Sequence, residues 1–205
     1  MSATPAKPDR RQVRTKQLLY RALMELIKEK GVANVTVTDL TNRAEVNRGT
    51  FYLHYRDVPD MLEQLKDEVF ESIRGCVVKL SIPQAMKHAD RNEVYPASIR
   101  IFEEFARHAD FLQLMFGAKG DLSFALRFRK LIESHITSQI DLKHIQAPID
   151  YIIAYMASAN FGLIMHWLES GRNQTPEQMS KLLMRIINFG PMVAFGIRDF
   201  PAPRN

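Results

Sequence analysis

Apolar residues recur at three- and four-residue steps from one end of the chain to the other, and no stretch alternates convincingly with a period of two. The pattern predicts an all-α protein. Gln12 to Lys30 reads as a first helix, with Leu18, Leu19, Ala22, Leu23, Leu26 and Ile27 on the repeating positions and Gly31 as its stop. Thr36 to Ala44 reads as a second. The Thr36 hydroxyl can cap the backbone N–H of Asp39, whose carboxylate suits the positive first turn, while Leu40 and Ala44 face inward with Val37 beside them. Asn47 is a good cap for a third helix, Arg48 to Tyr55, on which Phe51 and Tyr55 share a buried side and Tyr52 and His54 point outward. Asp57 then caps a long helix from Val58 to about Lys79; Pro59 is tolerated in its first turn, and Met61, Leu62, Leu65, Val69, Phe70 and Ile73 run along one side.

Ser81 to Arg91 is polar, contains Pro83 and lacks a sustained period, which predicts a loop with at most a short helical turn. Tyr95 to His108, Asp110 to Phe116, Asp121 to Ile140 and Pro148 to Ser170 read as successive helices, separated by Gly117, Gly120 and Gly171 among polar residues. A last helix starts at Pro176 under a Thr175 cap, carries Met179, Leu182, Leu183, Ile186 and Ile187, and ends near Gly190, where Pro191 opposes continuation. Tyr151 to Leu168 is eighteen residues without a formal charge, near the lower length for a bilayer span. Ser158, Asn160, Gly162 and His166 interrupt it, so a helix buried between subunits is the expectation, with no membrane partner.

Composition sharpens this picture in two places. At 205 residues and 46% hydrophobic, the chain can bury a substantial core. Its +5 charge is uneven: residues 1 to 56 hold eleven Lys or Arg against five Asp or Glu, whereas residues 57 to 205 hold seventeen against eighteen. Lys7, Arg10, Arg11, Arg14 and Lys16 suit phosphate neutralisation, with residues 1–11 expected as a flexible arm. Cys76 is the only cysteine, so no internal disulfide forms and a reducing cytoplasm is expected; MSATPAKPDRRQ lacks the apolar core of a secretory signal.

The third helix has the make-up of a recognition helix: small and hydrogen-bonding residues at its start for base edges, a basic residue for guanine or phosphate, and an apolar back. TVTDLTNRAEVNRGTFYLHYRD, Thr36 to Asp57, together with the preceding helix from Arg14 and the capped helix after Asp57, resembles the TetR family of bacterial transcription regulators. The order R-G-T-F-Y-x-H-Y after A-x-V-N carries the resemblance, which covers roughly the first 75 residues.

The resemblance implies a three-helix DNA-binding domain at 1–56 and a helical effector-binding and dimerisation domain at 57–205. It places Thr36, Thr38, Asn47, Arg48, Gly49, Thr50, Tyr52, Leu53 and His54 at DNA; those from Asn47 to Thr50 lie against the major groove, and Tyr52 and His54 on phosphates. Two residues depart from the pattern. Glu45 stands where the family often has Gly, and Leu53 where many members have a polar or aromatic reader. The segment AYMASANFGLIMHWLESGRNQTPEQMSKLLMRI resembles the last two helices of many members, which pair between subunits. It implies a homodimer with Tyr155, Ala159, Gly162, Leu163, Leu182, Leu183 and Ile186 at the seam. The family's middle helices enclose an inducer, which places Phe102, Phe105, Met115, Phe124 and Phe128 around a small-molecule effector. The expected function is a cytoplasmic repressor released from a palindromic operator by that effector; the alternative is a similar dimer that works through a protein partner.

No catalytic, cofactor or metal signature competes with this reading. Histidines at 54, 88, 108, 135, 144 and 166 form no helical pair and have no cysteine companions, and Gly-x-Ser-x-Gly, Walker and dinucleotide fingerprints are absent. Glu103 and Glu104 are adjacent, and so lie on different helix faces rather than forming an acid–base pair.

Overall fold

The computed structural model describes residues 10–118, 120–140 and 148–198, and their regular structure is helical throughout. Residues 1–9 of the expected arm, Lys7 among them, and His144 lie outside the described residues. The helices are α1 Arg10–Lys30, α2 Val37–Ala44, α3 Arg48–Tyr52, α4 Val58–Val77, α5 Ile82–Asp90, α6 Pro96–Arg107, α7 Ala109–Phe116, α8 Leu122–Gln139, α9 Ile149–Glu169, α10 Pro176–Phe189 and α11 Pro191–Ala194. The chain divides into two compact units, 1–67 with 117–121, and 68–116 with 122–205. The division falls inside α4, at Asp67, beyond the expected domain boundary at 56.

In the first unit the apolar stripe of α1 closes on α2, α3 and the start of α4. Leu19, Leu23, Ile27, Leu40, Phe51, Tyr55, Val58 and Met61 are buried there. Gly31, at φ 80°, ends α1 by donating its N–H to the Ile27 carbonyl at 2.9 Å, a backbone angle that favours glycine. Arg43 of α2 reaches back to α1, 2.8 Å from Glu29 and 3.0 Å from Glu25, which hold it firmly protonated. Lys66, although buried, stays cationic. Burial pulls its pKa down, and hydrogen bonds to Asp121 (2.7 Å) and Glu63 (2.5 Å) outweigh that and hold it above the usual lysine range.

The second unit is built around α8 and α9, which pack along one another, while α10 lies on α6 and α5. Phe124 and Phe128 meet edge to face at 5.1 Å, and Phe70, Phe105, Phe111, Phe116 and Phe161 extend this aromatic core. Phe102 meets Trp167 at 5.4 Å, and the indole N–H of Trp167 donates to the Gln174 carbonyl at 2.9 Å. Ser98 of α6 and Ser180 of α10, both buried, share a hydrogen bond of 2.5 Å. Glu103 is exposed, whereas Glu104 is buried. Burial pushes the Glu104 carboxyl up, but Ser72, Arg107 and His108 around it leave it below the ordinary glutamate range, as an ionised tie between α4 and α6.

Three local features depart from the sequence expectation. The stretch expected to be a loop at 81–91 forms α5, a nine-residue helix. Pro83 sits in the first turn, where no intrahelical N–H is lost, Ser81 caps the Gln84 N–H, and Ala85 and Ala89 bury one face. The third helix ends at Tyr52 rather than Tyr55, although Tyr55 still donates to the Phe51 carbonyl at 3.0 Å. Pro191 starts a further short helix, α11, instead of only closing the one before. Among the described residues α9 alone is long and apolar enough to cross a bilayer; its Ile153, Ala157, Phe161, Ile164, Trp167 and Leu168 are buried within the unit.

Candidate nucleic-acid interface and effector cavity

The helix-turn-helix is fixed by caps at both of its starts. Thr36 and Asp39 form a reciprocal capping box: Asp39 donates its N–H to the Thr36 hydroxyl at 3.2 Å, and the Thr36 N–H donates to the Asp39 carboxylate at 2.9 Å. Lys30 adds an ion pair to the same carboxylate at 2.5 Å. Hydrogen bonds from Lys30 first, then from Thr36, draw the Asp39 pKa down to about 2. The turn after α2 places Glu45 in the left-handed region at φ 54°, with its N–H directed to Asn42 and Thr41. A side chain there bears a steric cost that glycine avoids.

At the start of α3 the Asn47 side chain accepts the Gly49 N–H at 2.8 Å, and its carbonyl accepts Thr50 at 2.9 Å and Phe51 at 3.1 Å. A Cβ on Gly49 would stand 3.3 Å from that capping oxygen, so the tight first turn disfavours any larger residue. Phe51 is 0% exposed and anchors the helix, with Tyr52 edge to face against it at 5.5 Å and Tyr55 tilted at 5.7 Å. What remains outward is a compact set. Arg48 is exposed and makes no ion pair among the described residues, Thr50 and His54 are half-buried, Tyr52 is exposed, and Leu53 is 80% exposed. Of the residues expected at DNA, Thr36 and Asn47 are exposed but use their side-chain oxygens on their own backbone, and Thr38 and Gly49 are exposed beside them. Arg10, Arg11, Arg14 and Lys16 at the start of α1 are exposed, and the Lys16 ammonium lies 5.9 Å from the Tyr55 ring centre.

The second unit holds a cavity of about 110 Å³. Its wall is supplied by the ends of α4 (Ile73, Val77) and α5 (Ala85, Met86), by α8 (Phe128, His135), and by α9 and α10. Of the five residues expected around an effector, Phe105 and Phe128 lie on this wall. Phe102, Met115 and Phe124 do not: each is buried in solid packing, Phe102 on Trp167 and Phe124 between Phe111, Phe116 and Phe128. The cavity lies toward α5 and α10, which the sequence pattern does not assign to it. Leu183, expected at a subunit seam, faces the cavity. The other seam residues are placed less uniformly: Tyr155, Ala159 and Gly162 of α9 and Leu182 of α10 are exposed, while Leu163 and Ile186 are half-buried. A Cβ on Gly162 would meet nothing within 4 Å.

Among the described residues no group of three or more His, Cys, Asp or Glu could hold a metal ion.

Comparison with known proteins follows the same division. Residues 19–65 match the family described as bacterial regulatory proteins, tetR family, and residues 92–189 match a transcriptional regulator C-terminal region. The HTH-type transcriptional regulator YxbF of Bacillus subtilis (strain 168), itself uncharacterized, is 23% identical over 183 residues, 88% of this chain and 46% of its own. This chain thus spans about half the length of that relative. A TetR transcriptional regulator from Streptococcus agalactiae 2603V superposes with a TM-score of 0.57 at 22% identity, covering 87% of this chain and 96% of its own. The dihydroxyacetone kinase operon activator DhaS does so with a TM-score of 0.50 at 16% identity, over 90% of this chain and 98% of its own. Both superpositions show a shared fold.

Proposed function

Because the chain belongs to the TetR family of transcriptional regulators, we propose that it binds a palindromic operator as a cytoplasmic homodimer and represses transcription until a small molecule enters the cavity of the second unit. The observation that carries the DNA-binding part is the outer face of α3 and the turn that follows it: Arg48, Thr50, Tyr52, Leu53 and His54 stand outward while the back of the same segment, Phe51 and Tyr55, is buried. A rigid back with hydrogen-bonding and cationic groups in front is what major-groove reading needs. Arg48 and Thr50 in the first turn are assigned to base edges, Leu53 to a thymine methyl, and Tyr52 and His54 to the phosphate backbone.

Dimerisation is supported by α9, which leaves Tyr151 74%, Tyr155 65% and Ile152 38% exposed beside the small Ala159 and Gly162, an apolar surface of the kind that associates. The effector shifts the population toward a form whose two recognition helices no longer fit the half-site spacing.

Selection of bound sequences from random DNA tests the reading, with a two-fold palindrome as the expected result. Arg48→Ala then weakens operator binding by about 1–3 kcal/mol per half-site and relaxes preference at one base pair. Equal losses on operator and scrambled DNA reassign Arg48 to the backbone. Undiminished binding by a combined Arg48→Ala, Thr50→Ala and Tyr52→Ala variant refutes the recognition face. The sign of regulation is read from a reporter behind the recovered operator; DhaS is named an activator, so a rise in output on adding this protein removes the repressor assignment.

A further inference from the structure

Among the described residues the wall of the cavity carries no Lys, Arg, Asp or Glu, and one polar side chain on it stands out. His135, on α8, is 9% exposed, and its Nε2 is buried with no hydrogen-bond partner among the described residues. The Leu80 carbonyl, just beyond the end of α4, favours a proton on the ring, and a neutral imidazole with its proton on Nδ1 presents a bare lone pair at Nε2. Burial lowers the His135 pKa, and it outweighs the opposing effect of the Leu80 backbone, so the imidazole stays neutral. A buried acceptor without a donor is a standing free-energy cost, and a donor on a ligand removes it.

We propose that the effector is a small, uncharged, largely apolar molecule with one hydroxyl, an alcohol or a phenol, whose O–H donates to Nε2 of His135. This rests on the reading of the cavity as the effector site. Three observations fix the class. A charged head group would have no counter-charge on the wall and would stay desolvated and unpaired. The volume, about 110 Å³, is of the same order as the roughly 150 Å³ of an apolar cavity that admits benzene, so the body of the ligand is about one ring or a chain of similar size. Met86, Met156 and Met184 on the wall let the cavity adjust to modest differences in shape. The other polar residues of the wall are less suited to hold a hydroxyl, since Asn188 already donates to Asp90 at 3.1 Å and Asn160 is only half-buried.

Calorimetric titration of the purified protein with 4-methylphenol and with toluene, which lacks only the hydroxyl, tests this. One molecule of each binds per chain, and the ratio of their affinities shifts against 4-methylphenol by about ten-fold in His135→Leu, the cost of losing one buried hydrogen-bond partner. An unchanged ratio in His135→Leu overturns the assignment, as does a shift seen only in Asn160→Leu. Tighter binding of 4-methylbenzoate than of 4-methylphenol overturns the uncharged head. If toluene binds and the hydroxyl makes no difference, this proposal fails while the effector-site reading survives; if neither compound binds, both fail. Should His135→Leu not fold, the nitrogen chemical shift of His135 Nε2 in the unaltered protein decides: it moves with 4-methylphenol and not with toluene, and equal response to both overturns the proposal.

Discussion

The outer face of α3 and the wall of the cavity handle polar groups in opposite ways. On α3 and the turn after it, Arg48, Tyr52 and His54 stand at or near solvent, where water satisfies them and leaving them without a protein partner costs little. In the cavity a single imidazole nitrogen is shut away from water among apolar side chains, where the same lack of a partner is expensive. A surface read by many weak polar contacts can therefore tolerate several substitutions, while a cavity with one polar anchor cannot. The two regions also differ in what holds them. The first is pinned by short-range caps, the second by aromatic packing between residues far apart in the chain.

The contrast breaks most sharply at two residues of the same turn. Phe51→Ala is expected to destabilise the first unit by about 3–5 kcal/mol, because it empties a fully buried site. Leu53→Ala, two residues on and 80% exposed, should change stability by no more than about 0.5 kcal/mol. Urea unfolding followed by circular dichroism measures both, and similar losses would mean that the back and front of α3 are not distinct. Next in size, Asn47→Ala removes the cap on Gly49 and costs about 1 kcal/mol of stability. Base preference at the operator should stay as it was in that variant, the reverse of Arg48→Ala, and a changed preference would make Asn47 a reader as well as a cap.

The smallest effect concerns acid. Asp39 has a folded pKa of about 2 against an ordinary 3.8, so its contribution to stability is present above the ordinary value and is lost as pH falls toward 2. Lys30→Met removes the largest cause and should raise the Asp39 pKa toward 3.8, read by NMR titration of the carboxyl. An unmoved pKa would leave Thr36 as the controlling partner.

Much of the first unit is legible in the sequence because its signals are local. Thr36 and Asp39 are three residues apart, Asn47 and Gly49 two, and Phe51 and Tyr55 four, so caps and faces can be assigned before any tertiary contact is known. The left-handed Glu45 is signalled only through the resemblance, which has Gly at that place in the turn. The cavity is not legible in this way. Phe102, Phe124 and Phe128 share the same helical spacing and chemistry, and only packing across helices decides that Phe128 borders space while the other two do not. The α5 helix escapes the sequence pattern because Pro83 reads as a breaker unless its place in the first turn is known, and with α5 goes one side of the wall.

Trp167 has a consequence for how the two units can be watched. It is the chain's single tryptophan, it is 2% exposed, and it lies wholly within the second unit, edge to face with Phe102. Indole emission is thus a private signal of that unit, blue-shifted while the packing around α9 holds and red-shifted once water reaches the ring. The first unit emits only through Tyr20, Tyr52 and Tyr55, which a longer excitation wavelength leaves dark. One native chromophore, with no label added, therefore separates melting of the cavity-bearing unit from melting of the helix-turn-helix.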